Sequence, residues 1–338
     1  MKSAIAGAVF LLIGAMALSA VPADVTYTEG DASIRLSNGR QQDAQIGDVM
    51  NTGDTLKTGR DGQAELDQKG VTIKIAGNTV FTLMEREQGG KTSSVLAVAL
   101  GSIKFHYGKI TGSEPLVSTN SAVAGARGTD FTVFSGADGS TLIAVDAGEV
   151  TVESQGQSVD LAANEGVEVP LGRPPGDKFT VQRNQVDYSA WNEGKLDAML
   201  SDPLAAMTSI ETAMAGYEKD VADYDALFKQ YRAQLNTERA NLVTIINQKG
   251  KEEANKYESE VVTPLVVKTT ALGLNLRYSS LAALSLRRFV AGRLYVFLKA
   301  RYITQPSAET WTSFLTHYNE LLAGFETSIV PHLVEADI

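Results

Sequence analysis

Two spacings of apolar residues divide the chain. Up to about residue 172, apolar and polar positions alternate in short runs: Val71-Thr-Ile73-Lys-Ile75, Ile103-Lys-Phe105, Phe131-Thr-Val133, Val150-Thr-Val152 and Val167-Glu-Val169. A period of two puts successive side chains on opposite faces, as a half-buried strand requires. Asp61-Gly62, Ala76-Gly77-Asn78, Gly89-Gly90 and Asp138-Gly139 punctuate these runs as turns. Beyond Gly172-Arg-Pro-Pro-Gly176 the apolar residues step by threes and fours instead. Ile210, Met214, Tyr217, Val221, Tyr224, Phe228, Tyr231, Leu235, Leu242 and Ile245 form a heptad stripe, with Glu238 in one seam position. Trp311, Leu315, Tyr318, Leu322, Phe325 and Ile329 form a second, and 264–302 reads as a helical region between them. The expected architecture is α+β and multidomain. An all-β domain, β-solenoid-like or sandwich, covers 24–172; a linker follows at 173–185, and an α-helical bundle or coiled-coil-like domain fills 186–338.

Local signals sharpen both halves. Asp202-Pro203 places a capping carboxylate before a proline at the first helical position, which predicts a helix start. Pro264 and Gln305-Pro306 are read as bounding the middle helical region. In the β half, Val98-x-x-Gly101-x-Ile103-x-Phe105 is echoed by Val145-x-x-Gly148-x-Val150-x-Val152. Each copy reads as a strand entering a glycine turn and leaving as another strand. The echo suits either stacked strand–turn–strand units or ordinary repeated hairpins.

The N-terminus adds a compartment. Lys2 followed by a mostly apolar run from Ala4 to Leu18 predicts an export signal over 1–23, cleaved near Ala20 or Ala23. The run is short for a membrane span, which needs about twenty residues. A periplasmic or otherwise exported location is expected, with an uncleaved inner-membrane anchor as the alternative.

Composition then removes most chemistry. The 338 residues carry 30 Lys+Arg against 40 Asp+Glu, a net charge of −10, no cysteine and three histidines, His106, His317 and His332. Such a chain is a poor nucleic-acid binder; thiolate metal sites are excluded, as is every multi-histidine centre short of one built from distant single histidines. No cofactor is implied. The charge is uneven: 187–260 has fourteen acidic and eight basic residues, whereas 261–308 has no acid and holds Lys268, Arg277, Arg287, Arg288, Arg293, Lys299 and Arg301. This basic segment either pairs with the acidic helix of the same bundle or meets an anionic partner, a lipid surface or an acidic envelope polymer.

Three segments resemble FecR-type domains. Gly53-Asp-Thr-Leu56-Lys-Thr58-Gly59-Arg-Asp-Gly62 is similar to that family's opening motif, and Thr119 with Ala126-Arg127-Gly128-Thr129-Asp130-Phe131 is similar to its Arg-Gly-Thr-x-Phe signature. Val145-Asp-Ala-Gly148-Glu-Val150 resembles its closing strands. Asn120 departs from the family, which has proline after the threonine. The resemblance spans about 45–170 and implies a periplasmic β-rich domain used in envelope signalling. In well-known members that domain follows an anti-sigma segment and a membrane span. With a signal at the N-terminus here, the chain is expected to be a stand-alone exported FecR-domain protein without an anti-sigma segment. The motif residues are read as structural.

Candidate chemistry is sparse. Arg127, Thr129 and Asp130 could bind a carboxylate or sugar, but strand alternation separates Arg127 from Asp130 unless a turn at Gly128 intervenes. Arg127 is otherwise read as anchoring a turn through carbonyls or Asp146. Gly89-Gly90-Lys91-Thr92 lacks the upstream glycine and following helix of a phosphate loop. Glu65 with Asp67, and Glu149 with Glu153, share strand faces and could serve glycoside hydrolysis, or simply be solvated. His106 has no orienting partner that the sequence names, and His317 reads as a helix-surface residue. The expectation is therefore a non-enzymatic binding, scaffolding or envelope-signalling protein. It would meet an unknown envelope protein or glycan through its β domain, and the heptad helices would supply spacing or oligomerisation. Peripheral attachment to anionic membrane through Arg277, Arg287, Arg288, Arg293, Lys299 and Arg301 is the alternative. A carboxylate-based envelope glycan hydrolase is a second.

Overall fold

A computed structural model describes residues 21–88, 91–108, 114–181 and 186–335. The expected export signal therefore lies almost wholly outside the described residues, as do Gly89 and Gly90. The first half is strand and the second is helix, the α+β arrangement that the two spacings predict.

Alternation governs the strands. In β6 (Gln63–Gln68) and β7 (Val71–Ile75), Ala64, Leu66, Val71, Ile73 and Ile75 are buried while their neighbours lean outward. The remaining strands are β1 (Ala23–Glu29), β2 (Ala32–Arg35), β3 (Gln41–Asp43), β4 (Val49–Met50), β5 (Thr55–Thr58), β8 (Val80–Gln88), β9 (Lys91–Tyr107), β10 (Leu116–Ser118), β11 (Val123–Ser135), β12 (Thr141–Ser154), β13 (Gln157–Ala162), β14 (Glu165–Val169) and β15 (Phe179–Thr180). All belong to one hydrogen-bonded network folded over a common core. The ladders among the described strands are antiparallel except β9–β10, so the β unit is layered and not a stack of parallel coils.

Two glycines do the folding over. Gly101 and Gly148 are not turns between strands, as the echo suggests, but bends inside β9 and β12. Both have positive φ, 103° and 83°. Before Gly101, β9 pairs with β8; after it, with β7 and β11. Before Gly148, β12 pairs with β14; after it, with β13. A strand that changes layers at a bulge is how packed sheets turn a corner. A Cβ on Gly148 would lie 2.8 Å from the Thr129 hydroxyl and 2.9 Å from the Gly128 carbonyl, so no other residue fits the corner undisturbed.

The helical half is a long hairpin with a third helix laid along its base. Helix α3 (Pro203–Lys249) starts where expected: the Asp202 carboxylate accepts from the Ala205 N–H at 3.1 Å, with Pro203 in the first turn. Its 47 residues span about 70 Å at 1.5 Å per residue. Gly250, with φ 87°, reverses the chain. The return limb is α4 (Lys251–Tyr257), a π turn (Glu258–Val262), α5 (Thr263–Leu286), a second π turn (Arg287–Ala291) and α6 (Gly292–Arg301). Pro264 thus lies inside the return limb and does not open it. The π turn just before it, closed by Thr263 N–H to the Glu258 carbonyl, re-registers the backbone around a residue that has no N–H to give. Helix α7 (Glu309–Ser328) packs on the base, followed by α8 (Val330–Glu335). Ahead of the hairpin, α1 (Tyr188–Asn192) and α2 (Lys195–Ser201) lead out of the β unit.

The predicted stripe of α3 is the buried one. Ile210, Met214, Val221 and Phe228 join the basal core, with Tyr217, Tyr224 and Tyr231 packed against it. Leu235 and Leu242 belong to a separate cluster with Ala254 and Val262, formed by the two limbs alone. The distal arm thus rests on a narrow two-helix core. Leu242→Ala is expected to cost about 2–3 kcal/mol, the lower part of the range for a leucine truncation, because so thin a core can collapse around the gap. Hydrogen exchange should accelerate within the arm and stay unchanged in β9 and β12. Uniform acceleration throughout the chain would contradict a separate distal core.

Candidate functional site

One set of ties between the two halves converges on α5. This helix is buried on opposite sides: Leu272, Leu276, Ala283 and Leu286 enter the helical core, while Tyr278 enters a cluster with Met84 of β8 and Val95 of β9. From Thr269 to Leu286 the helix has no exposed residue, so each polar side chain turned toward the sheet there needs a partner. Asn275 Oδ1 accepts from the Glu87 N–H at 2.7 Å. The Tyr278 and Ser118 hydroxyls meet at 2.8 Å. Ser285 Oγ donates to Asn120 Oδ1 at 3.3 Å, while Asn120 Nδ2 donates to the Ala99 carbonyl at 2.9 Å.

Asn120 thereby acquires a role that its sequence position concealed. A proline there, as in the family pattern, could make neither bond. A second tie runs through α1 and α2: the Tyr188 hydroxyl donates to the Ser135 carbonyl at 3.1 Å, Asn192 Oδ1 accepts from Ala137 N–H at 2.9 Å, and Lys195 pairs with Glu168 at 2.8 Å. Burial pushes the Tyr188 phenol up to about 12.

The motif residues shape the β unit. Gly53 (φ 93°) donates its N–H to the Leu83 carbonyl at 2.7 Å, and Leu56 is fully buried. Thr58 Oγ1 donates to the Ala76 carbonyl at 2.7 Å and accepts from Thr79 N–H at 2.9 Å. Gly59 lies so close to Asp31 that a side chain has no room. Thr119 Oγ1 accepts from the Ala122 N–H at 3.0 Å, closing the turn between β10 and β11. Gly128 (φ 57°) supplies the irregularity that breaks alternation between Arg127 and Asp130, and Thr129 Oγ1 donates to the Glu149 carbonyl beside Gly148. Phe131 stacks on Phe105 with ring centroids 5.2 Å apart. The backbone of Arg127 pairs with Glu149; its side chain lies outside the described residues. Asp146, offered above as its anchor, is held by Lys104 at 2.7 Å.

Two histidines have partners that the sequence did not reveal. His106 Nδ1 meets Asp130 Oδ1 across the β9–β11 ladder, because the Gly128 irregularity brings Asp130 opposite it. His317 meets Glu211 at 2.9 Å between α7 and α3. Both imidazoles are largely exposed. Glu65 is paired with Lys74 at 3.2 Å. No group of three or more His, Cys, Asp or Glu side chains among the described residues could hold a metal ion.

The six cations proposed as one surface do not share a face. Arg277 lies toward Glu85 of β8, Arg287 over the Phe325 ring, Arg293 beside Tyr188 and Lys299 over Tyr295. Arg301 donates to the Leu200 carbonyl at 2.7 Å. Arg288 opens into a cleft of about 390 Å³ between the second π turn and strands β2, β5 and β8, where it faces Arg35 and Lys57.

The junction also holds carboxylates that would ionise more easily elsewhere. Burial pushes Glu85 up, against the opposing pull of Arg277, and burial likewise raises Asp220 beside Lys219 and Arg86. A carboxyl whose folded pKa is raised takes stability away as pH climbs from its unfolded value through its folded value. Glu85→Gln is therefore expected to gain in unfolding midpoint relative to the wild type as pH rises from about 4 to 7. A constant difference over that range would mean that Glu85 carries no such penalty.

Comparison with known proteins bears on the β unit. The model of the FecR protein family matches residues 54–151, from β5 through all but the last three residues of β12. No curated protein matches the chain. Two crystal structures of "a putative anti-sigma factor" from Parabacteroides distasonis are similar at 16% identity over 41% of this chain, with TM-scores of 0.33 and 0.34. The chain spans 64% and 65% of those two chains. The expectation of a stand-alone FecR-domain protein is corrected accordingly: the family match occupies one stretch, residues 54–151, of a chain that also carries the helical hairpin. Residues 54–151 are the stretch of this two-part chain that is similar to FecR proteins.

Proposed function

We propose that this chain is a non-catalytic binding and scaffolding protein of the cell envelope, with the β unit as its base and the helical hairpin as the element that reaches a partner. The observation that carries this reading is the mounting of the arm. Glu87, Ser118 and Asn120, the residues that hold α5, all lie within the FecR-type segment. A hairpin seated on that segment transmits the position of its tip to the β unit, as a signalling or spacing element must.

Two features support a partner at the arm. Val243 and Val267 are exposed apolar residues on the two limbs, at 58% and 47%. The envelope location rests on the export pattern of residues 1–23 and on the FecR-type segment. No helix among the described residues is long and apolar enough to cross a membrane.

Osmotic-shock fractionation of a cell expressing the full chain, with a photo-crosslinking residue at 243 or 267, tests this directly. The expected result is release with periplasmic markers and one discrete adduct from the arm positions. Retention in the cytoplasm, or no adduct from either limb, would overturn the proposal.

A further inference from the structure

The cleft beside the second π turn gathers charge that the fold does not use. Arg35 from β2, Lys57 from β5 and Arg288 from the π turn line a single opening, among the hydroxyls of Ser33, Thr55 and Ser285. Its volume of about 390 Å³ lies in the range of small-ligand sites. None of the three cations has a carboxylate within ion-pair distance among the described residues. Asp43, which pairs with Ser33 at the end of the β2–β3 ladder, makes no such bond either.

This is unusual for a chain of net charge −10. Three other β-unit lysines have a carboxylate at hand: Lys74 pairs with Glu65, Lys104 with Asp146 and Lys178 with Glu165. At the cleft, positive charges face one another instead. Burial, then Arg35 and Arg287, lower the Arg288 pKa below the usual arginine value. The π turn contributes to the placement, because its extra residue sets the consecutive side chains of Arg288 and Phe289 into the same opening.

The chemistry selects the ligand. Three cations with the hydroxyls of Ser33 and of the Thr55–Thr82 pair, and no acidic side chain lining the cleft, suit a dianion better than a single carboxylate. Arginine forks match phosphate oxygens two at a time, and hydroxyls complete the shell. Leu284 and Phe289 supply an apolar wall beside the charges. We propose that this cleft binds a phosphate monoester, with the phosphate between Arg35, Lys57 and Arg288 and the organic part against Leu284 and Phe289. The site stands on its own geometry and does not depend on the arm having a protein partner.

Isothermal titration of the full chain with glycerol 3-phosphate and with dihexanoyl phosphatidic acid, beside flotation with phosphatidate and phosphatidylcholine vesicles, tests it. The expected result is saturable, salt-sensitive binding that weakens about tenfold or more in R35Q/R288Q and in K57Q. It should be unchanged in K299Q, whose lysine lies over Tyr295 outside the cleft. Binding of a soluble ester identifies a free ligand, and binding to phosphatidate vesicles alone identifies a lipid headgroup; either supports the site if R35Q/R288Q abolishes it. No binding to any probe, or an equal loss in K299Q, overturns it. All three altered side chains in the cleft are exposed, and unfolding midpoints equal to the wild type confirm that the variants fold.

Discussion

The architecture depends on one helix having to satisfy two neighbours. Helix α5 lies between the hairpin core and strands β8 and β9, with apolar residues on one side and a mixed set on the other. Buried polar groups without partners cost about 1–3 kcal/mol each, so Asn275, Tyr278 and Ser285 position the helix as much as they stabilise it. If α5 slid by one turn, Asn275 would lose the Glu87 amide and Tyr278 would lose Ser118, while most apolar contacts could be replaced by others. The polar bonds give the junction its register, and burial gives it most of its strength.

The β unit meets this demand with its own corners. Gly101 and Gly148 bend β9 and β12 from one layer into the other, and the Thr79 and Thr129 side chains lie against those bends. The first half of β9 is therefore free to build, with β8, the surface on which α5 rests. Its second half closes the core around Phe105 and Phe131. The Gly101 corner thus serves both the internal packing of the β unit and the docking of the arm.

Much of this was legible in the sequence, and the residues show why the rest was not. The alternating runs, the start of α3 at Asp202-Pro203 and its buried stripe depend on local spacing, which a sequence displays. The Gly101 and Gly148 echo was visible too, but a bend and a turn share the same glycine signal; only the pairing of the flanking residues separates them. The His106–Asp130 pair and the bond from Ser285 to Asn120 join residues distant in sequence. No spacing rule reaches them. Asn120 departs from a family pattern, yet its meaning lies on a helix more than a hundred residues later.

The basic segment shows a different limit. Read as one regular helix, 264–302 offers seven cations and invites a single charged face. The chain instead inserts a π turn at Arg287–Ala291, and one extra residue rotates everything downstream by about 100°. Arg277 upstream and Lys299 downstream consequently look toward different neighbours. Arg288, within the irregular turn, faces the cleft where Arg35 and Lys57 already stand. A count of charges along a segment carries a partner argument only when the helix keeps its phase. Here the phase break disperses the charge along the helix and concentrates it at one point, against a sheet whose own cations lie nowhere near α5 in sequence.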